Sequence, residues 1–219
     1  MNQKEAKEIR KNKILFSHGK RGIVSKSPDG KYLVKEKKPE SFSPGTIRNE
    51  YEYNLKLNKI NIGPKMIYYD QKNDFLIREF VNGETIFEYF EKTKQESDKK
   101  GFKKELKRVI LNILGQCRRM DIAKINKFEM TNPYKDLIID EKTKKPIIID
   151  FERCRHAMNP KNTTQFCQFL IKGKMKNEPE KINVFLDDKK IISLAEFYKK
   201  EQSENNFKKI KKEIEEKFE

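Results

Sequence analysis

A carboxylate that ends a buried strand can hold a metal ion against a phosphate, and Ile147-Ile148-Ile149 running into Asp150-Phe151-Glu152 offers one. An Asp after an apolar run also simply opens a loop, so the weight of this reading comes from its company. Lys35 follows Tyr32-Leu33-Val34 as a strand-borne ammonium suited to nucleotide phosphates, provided that a carboxylate from the next helix fixes it. Glu50, fifteen residues on, supplies that carboxylate, with Glu52 as the fallback. Upstream, Gly19 and Gly22 flank Lys20 and Arg21 in a turn whose backbone N–H groups can approach phosphate oxygens. Cys154 and His156 lack the second ligand pair that a metal site needs.

These residues need a scaffold, and the hydrophobic pattern describes one. Lys13–Phe16, Ile23–Ser25 and Tyr32–Val34 read as three strands joined by Gly-containing turns, Ser27-Pro28-Asp29-Gly30 being the second. A helix is expected over 46–59, stopped by Ile62-Gly63-Pro64, followed by strands at Ile67–Tyr69 and Phe75–Phe80. The order is βββαββ over 14–80, with one helix. The backbone of Arg78-Glu79-Phe80-Val81-Asn82-Gly83 leaves the fifth strand where an adenine edge can be hydrogen-bonded, which makes Glu79 and Val81 candidate nucleotide contacts. Beyond residue 82 the character changes. Ile86–Phe90 is a short apolar patch, Lys92–Lys100 reads as a solvated connection, and Phe102 to Cys117 recur at helical spacing, so 102–119 is a core helix. Residues 137–150 read as a β-hairpin carrying Asp150 at its end, and Phe207, Ile210, Ile214 and Phe218 mark an amphipathic C-terminal helix docked on the surface.

The 219 residues carry Lys+Arg 50 against Asp+Glu 34, a formal +16, which favours polyanionic partners such as nucleotides, phosphorylated substrates or RNA. Acidic residues are interspersed with the basic ones, against a single dedicated nucleic-acid arm. The three cysteines form no C-x-x-C pair and no apolar run approaches membrane-spanning length, so a soluble, cytoplasmic protein without a membrane span is expected.

The order of a Gly turn, strand Lys, helix Glu, I-G-P break and a hairpin ending in D-F resembles protein-kinase-like folds. Ile62-Gly63-Pro64, Met120-Asp121-Ile122, Thr131-Asn132-Pro133-Tyr134-Lys135 and Ile149-Asp150-Phe151-Glu152-Arg153 look more closely like the archaeal predicted serine/threonine kinases related to the RIO and lipopolysaccharide-kinase groups. The resemblance covers about residues 14–170. It implies an α+β, two-lobed fold: a five-stranded antiparallel N-lobe with one helix over 1–81, and a reduced, mostly helical C-lobe over 82–219. It further implies ATP and Mg²⁺, or Mn²⁺, as cofactors. Gly19, Lys20, Gly22 and Val24 would lie along the phosphates, Lys35 would hold the α/β-phosphates while paired to Glu50, and Asp150 would bind the metal.

The chain departs from that pattern in the catalytic loop. Lys127-Phe128-Glu129-Met130 stands where a kinase has H-R-D, and Asp136 where it has Asn. Glu129 can accept or orient the substrate hydroxyl's proton and Asp136 can be a second metal ligand, or both can be solvated loop carboxylates. Glu152 replaces the Gly after D-F and no A-P-E follows; Asn159-Pro160 instead leads into a short helix, which shortens any peptide-docking surface. The expected activity is transfer of the γ-phosphoryl of Mg-ATP to a protein Ser/Thr. The rivals are a pseudokinase or ATPase-type nucleotide switch acting as a binding module, associated with RNA or a ribosomal particle.

Overall fold

The computed structural model describes residues 1–18, 22–38 and 46–219. It is α+β and divides into two compact units, Met1–Asn82 with Ile147–Cys154, and Gly83–Pro146 with Arg155–Glu219.

In the first unit, β1 (Ile14–His18), β2 (Gly22–Lys26), β3 (Tyr32–Lys37), β4 (Met66–Asp70) and β5 (Phe75–Glu79) form a five-stranded sheet in the order β1-β2-β3-β5-β4. Every pairing is antiparallel. The turns have local causes. Gly30, at φ 72°, closes the β2–β3 turn, where Asp29 accepts from Ser27 Oγ and Lys31 N–H. Asp70 accepts the Asn73 N–H in the β4–β5 turn.

Strand alternation sends Val34, Phe75 and Ile77 to one face and Leu76 to the other. Helix α2 (Thr46–Asn58) covers the Leu76 face through Ile47 and Tyr51. The opposite face is covered by α1 (Gln3–Lys11) through Ala6 and Ile9, so the described residues of this unit hold two helices, not one. The apolar periodicity of α1 is too thin to show in the sequence, since Ala6 is its only buried residue. Its start is nevertheless encoded: Asn2 accepts from Glu5 N–H while Glu5 accepts from Asn2 N–H, each at 2.9 Å.

Glu36 ties α1 to the sheet, 2.6 Å from Arg10 Nε and 2.8 Å from Lys13 Nζ. Burial pushes its carboxyl up, but the bonds and charges of Lys13 and Arg10 outweigh that and hold it below the ordinary carboxylate range. The stability it lends is therefore present above the unfolded pKa, about 4.3, and is lost as pH falls through the lower folded value. Amide exchange across α1 should accelerate in that acid window ahead of exchange in β3, and equal acceleration of both would disprove this role.

In the second unit, β6 (Gly83–Thr85) pairs antiparallel with β8 (Leu137–Asp140), and β7 (Ile125–Asn126) with β10 (Arg155–His156). The stretch expected as a solvated connection is mostly helix. Helix α3 (Ile86–Glu96), whose Glu88 takes both the N–H and the hydroxyl of Thr85, runs on to Ser97, and α4 (Lys99–Ile122) starts after Asp98 caps Gly101 N–H at 2.7 Å. Burying Ile86, Phe87, Tyr89 and Phe90 along one side holds the polar C-terminal turn of α3 in the helix. The hairpin turn after β8 is closed by Asp140 N–H to Lys145 O, leading to β9 (Pro146–Ile148), where the chain passes back to the first unit.

Helices α5 (Asn162–Leu170), α6 (Gly173–Glu180), α7 (Asp188–Lys200) and α8 (Glu204–Lys217) complete the second unit. The Phe207, Ile210 and Ile214 stripe of α8 and Phe218 just past its end are buried, as their spacing predicts. No helix among the described residues is long and apolar enough to cross a membrane.

Candidate functional site

Lys35 lies in the middle of β3, in register with Val24 on one side and Leu76 on the other. Its side chain faces α2, on the same face of the sheet as Arg78 two residues past Leu76. Gly22, at the start of β2, lies beside it: a Cβ there would sit 3.5 Å from Lys35 Cε.

The buried ammonium is 2.6 Å from Glu50 Oε2, 3.1 Å from Glu152 Oε2 and 3.2 Å from Asp150 Oδ1. Burial alone would drive its pKa down, but the charges of Glu50, Asp150 and Glu152 reverse that and raise it well above the ordinary lysine value. Lys35 is a cation at any working pH. A second buried cation, Arg78, has its pKa lowered by burial, an effect that the charges of Glu50 and Asp150 oppose. Arg78 Nη1 donates to Glu79 O at 3.2 Å, and its buried Nε has no partner among the described residues.

Segment 149–154 is held beside this cluster by bonds from α2 and a turn of its own. Asn49, on α2, donates to Glu152 O at 2.8 Å and Cys154 O at 2.9 Å, and Cys154 N–H closes a turn onto Phe151 O. Asp150 does not end the strand as the sequence suggested, because β9 stops at Ile148 and Asp150 is in the left-handed region at φ 62°. Asp and Asn tolerate that conformation better than other residues with a Cβ. The adjacent Phe151 ring is fully buried in a niche that exists because residue 63 is glycine, at φ 77°. A Cβ at Gly63 would lie 2.6 Å from Phe151 Cε2 and 2.9 Å from Asn54 Oδ1.

Asn58 knots the Ile62-Gly63-Pro64 break by donating to Ile62 O and Pro64 O while accepting from Met66 N–H. Gly63→Ala combines overpacking with a strained φ and should cost about 2–4 kcal/mol. Urea unfolding of the full chain measures it, and a loss within error of zero would contradict the tight Phe151 seat.

The structure thus brings Lys35, Glu50 and Asp150 together, with Gly22 beside them. It does not bring Glu52 there: that residue pairs with Arg48 at 2.8 Å on the outer side of α2. Gly19 and Lys20 fall outside the described residues. Val24 sits next to Lys35 in the ladder. The backbone groups of Glu79 already have partners, its N–H on Lys65 O and its carbonyl on Arg78, and Val81 lies in the connection between β5 and β6.

Glu129 and Asp136 belong to the second unit. Glu129 is exposed and held at φ 80°, with its carbonyl accepting Asn132 N–H in a tight turn. Asp136 Oδ2 is 2.7 Å from the ammonium of the buried Lys127. The stretch Ile125–Lys127 that leads into Glu129 is anchored from α4 and α5. The buried Asp121 carboxylate accepts from Asn162 N–H and Nδ2, Thr163 N–H and Tyr198 OH, while Asn162 Oδ1 takes Lys127 N–H and its Nδ2 also reaches Ile125 O.

Sequence reasoning missed Glu152, Arg78, Asn49 and the Asp121–Asn162 anchor. Glu152 had a local signal, a second carboxylate two residues past Asp150; the others meet their partners only through the fold. Among the described residues, one set of three possible metal ligands converges, Glu50, Asp150 and Glu152, with ligand oxygens within 4.8 Å of one another. All are hard oxygen donors, the class that suits Mg²⁺ or Mn²⁺. Among the described residues, neither Cys154 nor His156 belongs to such a set. The sequence matches no protein-family model and no curated protein.

Proposed function

We propose that the protein is an ATP-dependent phosphotransferase of the serine/threonine-kinase class, passing the γ-phosphoryl of Mg-ATP to a hydroxyl. The observation that carries this reading is Lys35: a buried ammonium fixed at 2.6 Å by Glu50 and adjoining two further carboxylates. A lysine so held is a positioned phosphate-binding charge, and phosphoryl transfer is catalysed mainly by positioning and charge neutralisation. Asp150 and Glu152 would hold magnesium, which supplies the charge that phosphate oxygens need as the bond to the leaving group lengthens. Gly22 runs beside the Lys35 stem, where a Cβ would lie 3.0 Å from Glu36 O, so only glycine fits there without a shift. Glu129 is the group proposed to orient the acceptor hydroxyl, and Asp136 the further oxygen ligand.

Asp136 also favours a second reading. One of its oxygens is engaged by the buried Lys127, which competes with a metal role, so a nucleotide-binding module with negligible transfer is the rival. Incubation with γ-labelled ATP and Mg²⁺ or Mn²⁺, following label on protein and as free phosphate, separates them. Label on protein supports the kinase; free phosphate alone supports an ATPase-type switch; nucleotide binding without turnover supports the silent module.

A further inference from the structure

Helix α4 buries Phe102, Leu106, Val109, Ile110 and Ile113, so its opposite side faces solvent. That side is basic. Lys100, Lys104 and Arg108 follow one another at one-turn spacing, and Lys107 fills the row beside them, over about 10 Å from Lys100 to Lys107. The hairpin turn 141–145 continues the row, because Arg108 Nη2 donates to Lys144 O and the Lys144 ammonium lies 6.0 Å from the ring of Tyr89. Lys142, Lys144 and Lys145 are all exposed there. Residues 98–108 and 140–145 together carry nine cations against four carboxylates.

Those carboxylates are largely committed. Glu105 takes both Arg108 and Tyr89 OH, Asp98 caps α4 and Asp140 caps the turn. Among the described residues no carboxylate pairs with Lys100, Lys104 or Lys107. Helix α8 shows the ordinary alternative, since its Lys211 and Lys212 are matched by Glu215 and Glu216 one turn on.

We propose that this face of α4, with the adjoining turn, docks a nucleic-acid duplex through its phosphodiester backbone. The cations are mostly lysines, point charges suited to phosphate rather than to reading base edges. A single strand is disfavoured because the nearby rings, Tyr89, Phe90 and Phe102, are buried and unavailable for base stacking. The inference is independent of any phosphotransferase activity.

The test is anisotropy of a labelled random-sequence DNA duplex of about 20 base pairs titrated with the full chain across a salt series. If Lys100, Lys104, Lys107, Lys142 and Lys144 each meet a phosphate, log K should fall against log salt with a slope of about −4.5. The triple variant Lys100→Glu/Lys104→Glu/Lys107→Glu should bind on the order of a hundredfold more weakly at 0.1 M salt, with a slope shallower by about 3. Lys208→Glu/Lys209→Glu/Lys212→Glu on α8 changes net charge equally and should leave affinity within about twofold. Circular dichroism of both variants checks the fold, and if the first triple misfolds, Lys142→Glu/Lys144→Glu in the exposed turn gives the same readout. Equal loss in the α4 and α8 variants, a wild-type slope near zero, or binding to anionic phosphatidylserine vesicles without duplex binding would each overturn the proposal.

Discussion

Asp150→Asn should leave the fold intact and reduce γ-phosphoryl transfer by on the order of a thousandfold, the scale seen when a positioned electrostatic group is removed. Asparagine is the informative substitution because residue 150 sits at φ 62°, where Asn is nearly as comfortable as Asp and alanine is not. The variant therefore removes the charge and keeps the backbone. The carboxylate is partly exposed, so losing its bond to Lys35 should shift stability by less than about 1 kcal/mol. Thermal unfolding and labelled-ATP turnover, read side by side, make the test. Wild-type turnover in a folded Asp150→Asn protein would remove Asp150 from any metal or catalytic role and leave it a loop residue.

Lys35→Met should act differently, on stability as well as on activity. It leaves Glu50, 1% exposed on its side chain, without the ammonium at 2.6 Å, and breaking a buried pair from one side costs about 3–5 kcal/mol. Removing the second charge relieves that cost, so Lys35→Met/Glu50→Gln should regain most of the lost stability. It should not regain phosphoryl transfer, because nothing replaces the ammonium against the phosphates. Urea midpoints for the two variants, with turnover for each, distinguish a structural ion pair from a phosphate site. Recovery of both stability and turnover in the double variant would mean that Lys35 only balances charge.

How far these residues could be seen beforehand depended on whether the physics was local. Strands β1 to β5 and helix α2 were legible because Gly30, the Asp70–Asp74 turn and Ile62-Gly63-Pro64 punctuate runs of the right period. The Lys35–Glu50 encounter followed from a strand and a helix packed at short range. Helix α1 escaped because a capping box signals a start without any apolar stripe to follow, and the end of α3 because its polar last turn is held by tertiary burial of the first. Asn49, Arg78 and Asn162 were beyond reach for a simpler reason: each acts on groups brought to it from distant parts of the chain, such as Cys154, Glu50 and Asp121. Phe151 was read as part of a motif, yet nothing in the sequence said that its ring needs the missing side chain of Gly63.

The membership of Ile147–Cys154 in the first unit has a consequence for how the protein is made. A ribosome releases the whole β-sheet and both its helices before the octapeptide that completes them, which follows only after Gly83–Pro146. At ordinary elongation rates of about 5–20 residues per second, that interval is several seconds. For that time the Gly63 niche lacks its phenyl ring, and Lys35 has Glu50 but neither Asp150 nor Glu152. A nascent chain arrested just short of Ile147, with Met1–Asn82 already emerged, should therefore exist as a sheet with an open pocket, prone to protease attack around Gly63, and should close only once Cys154 has been made and released.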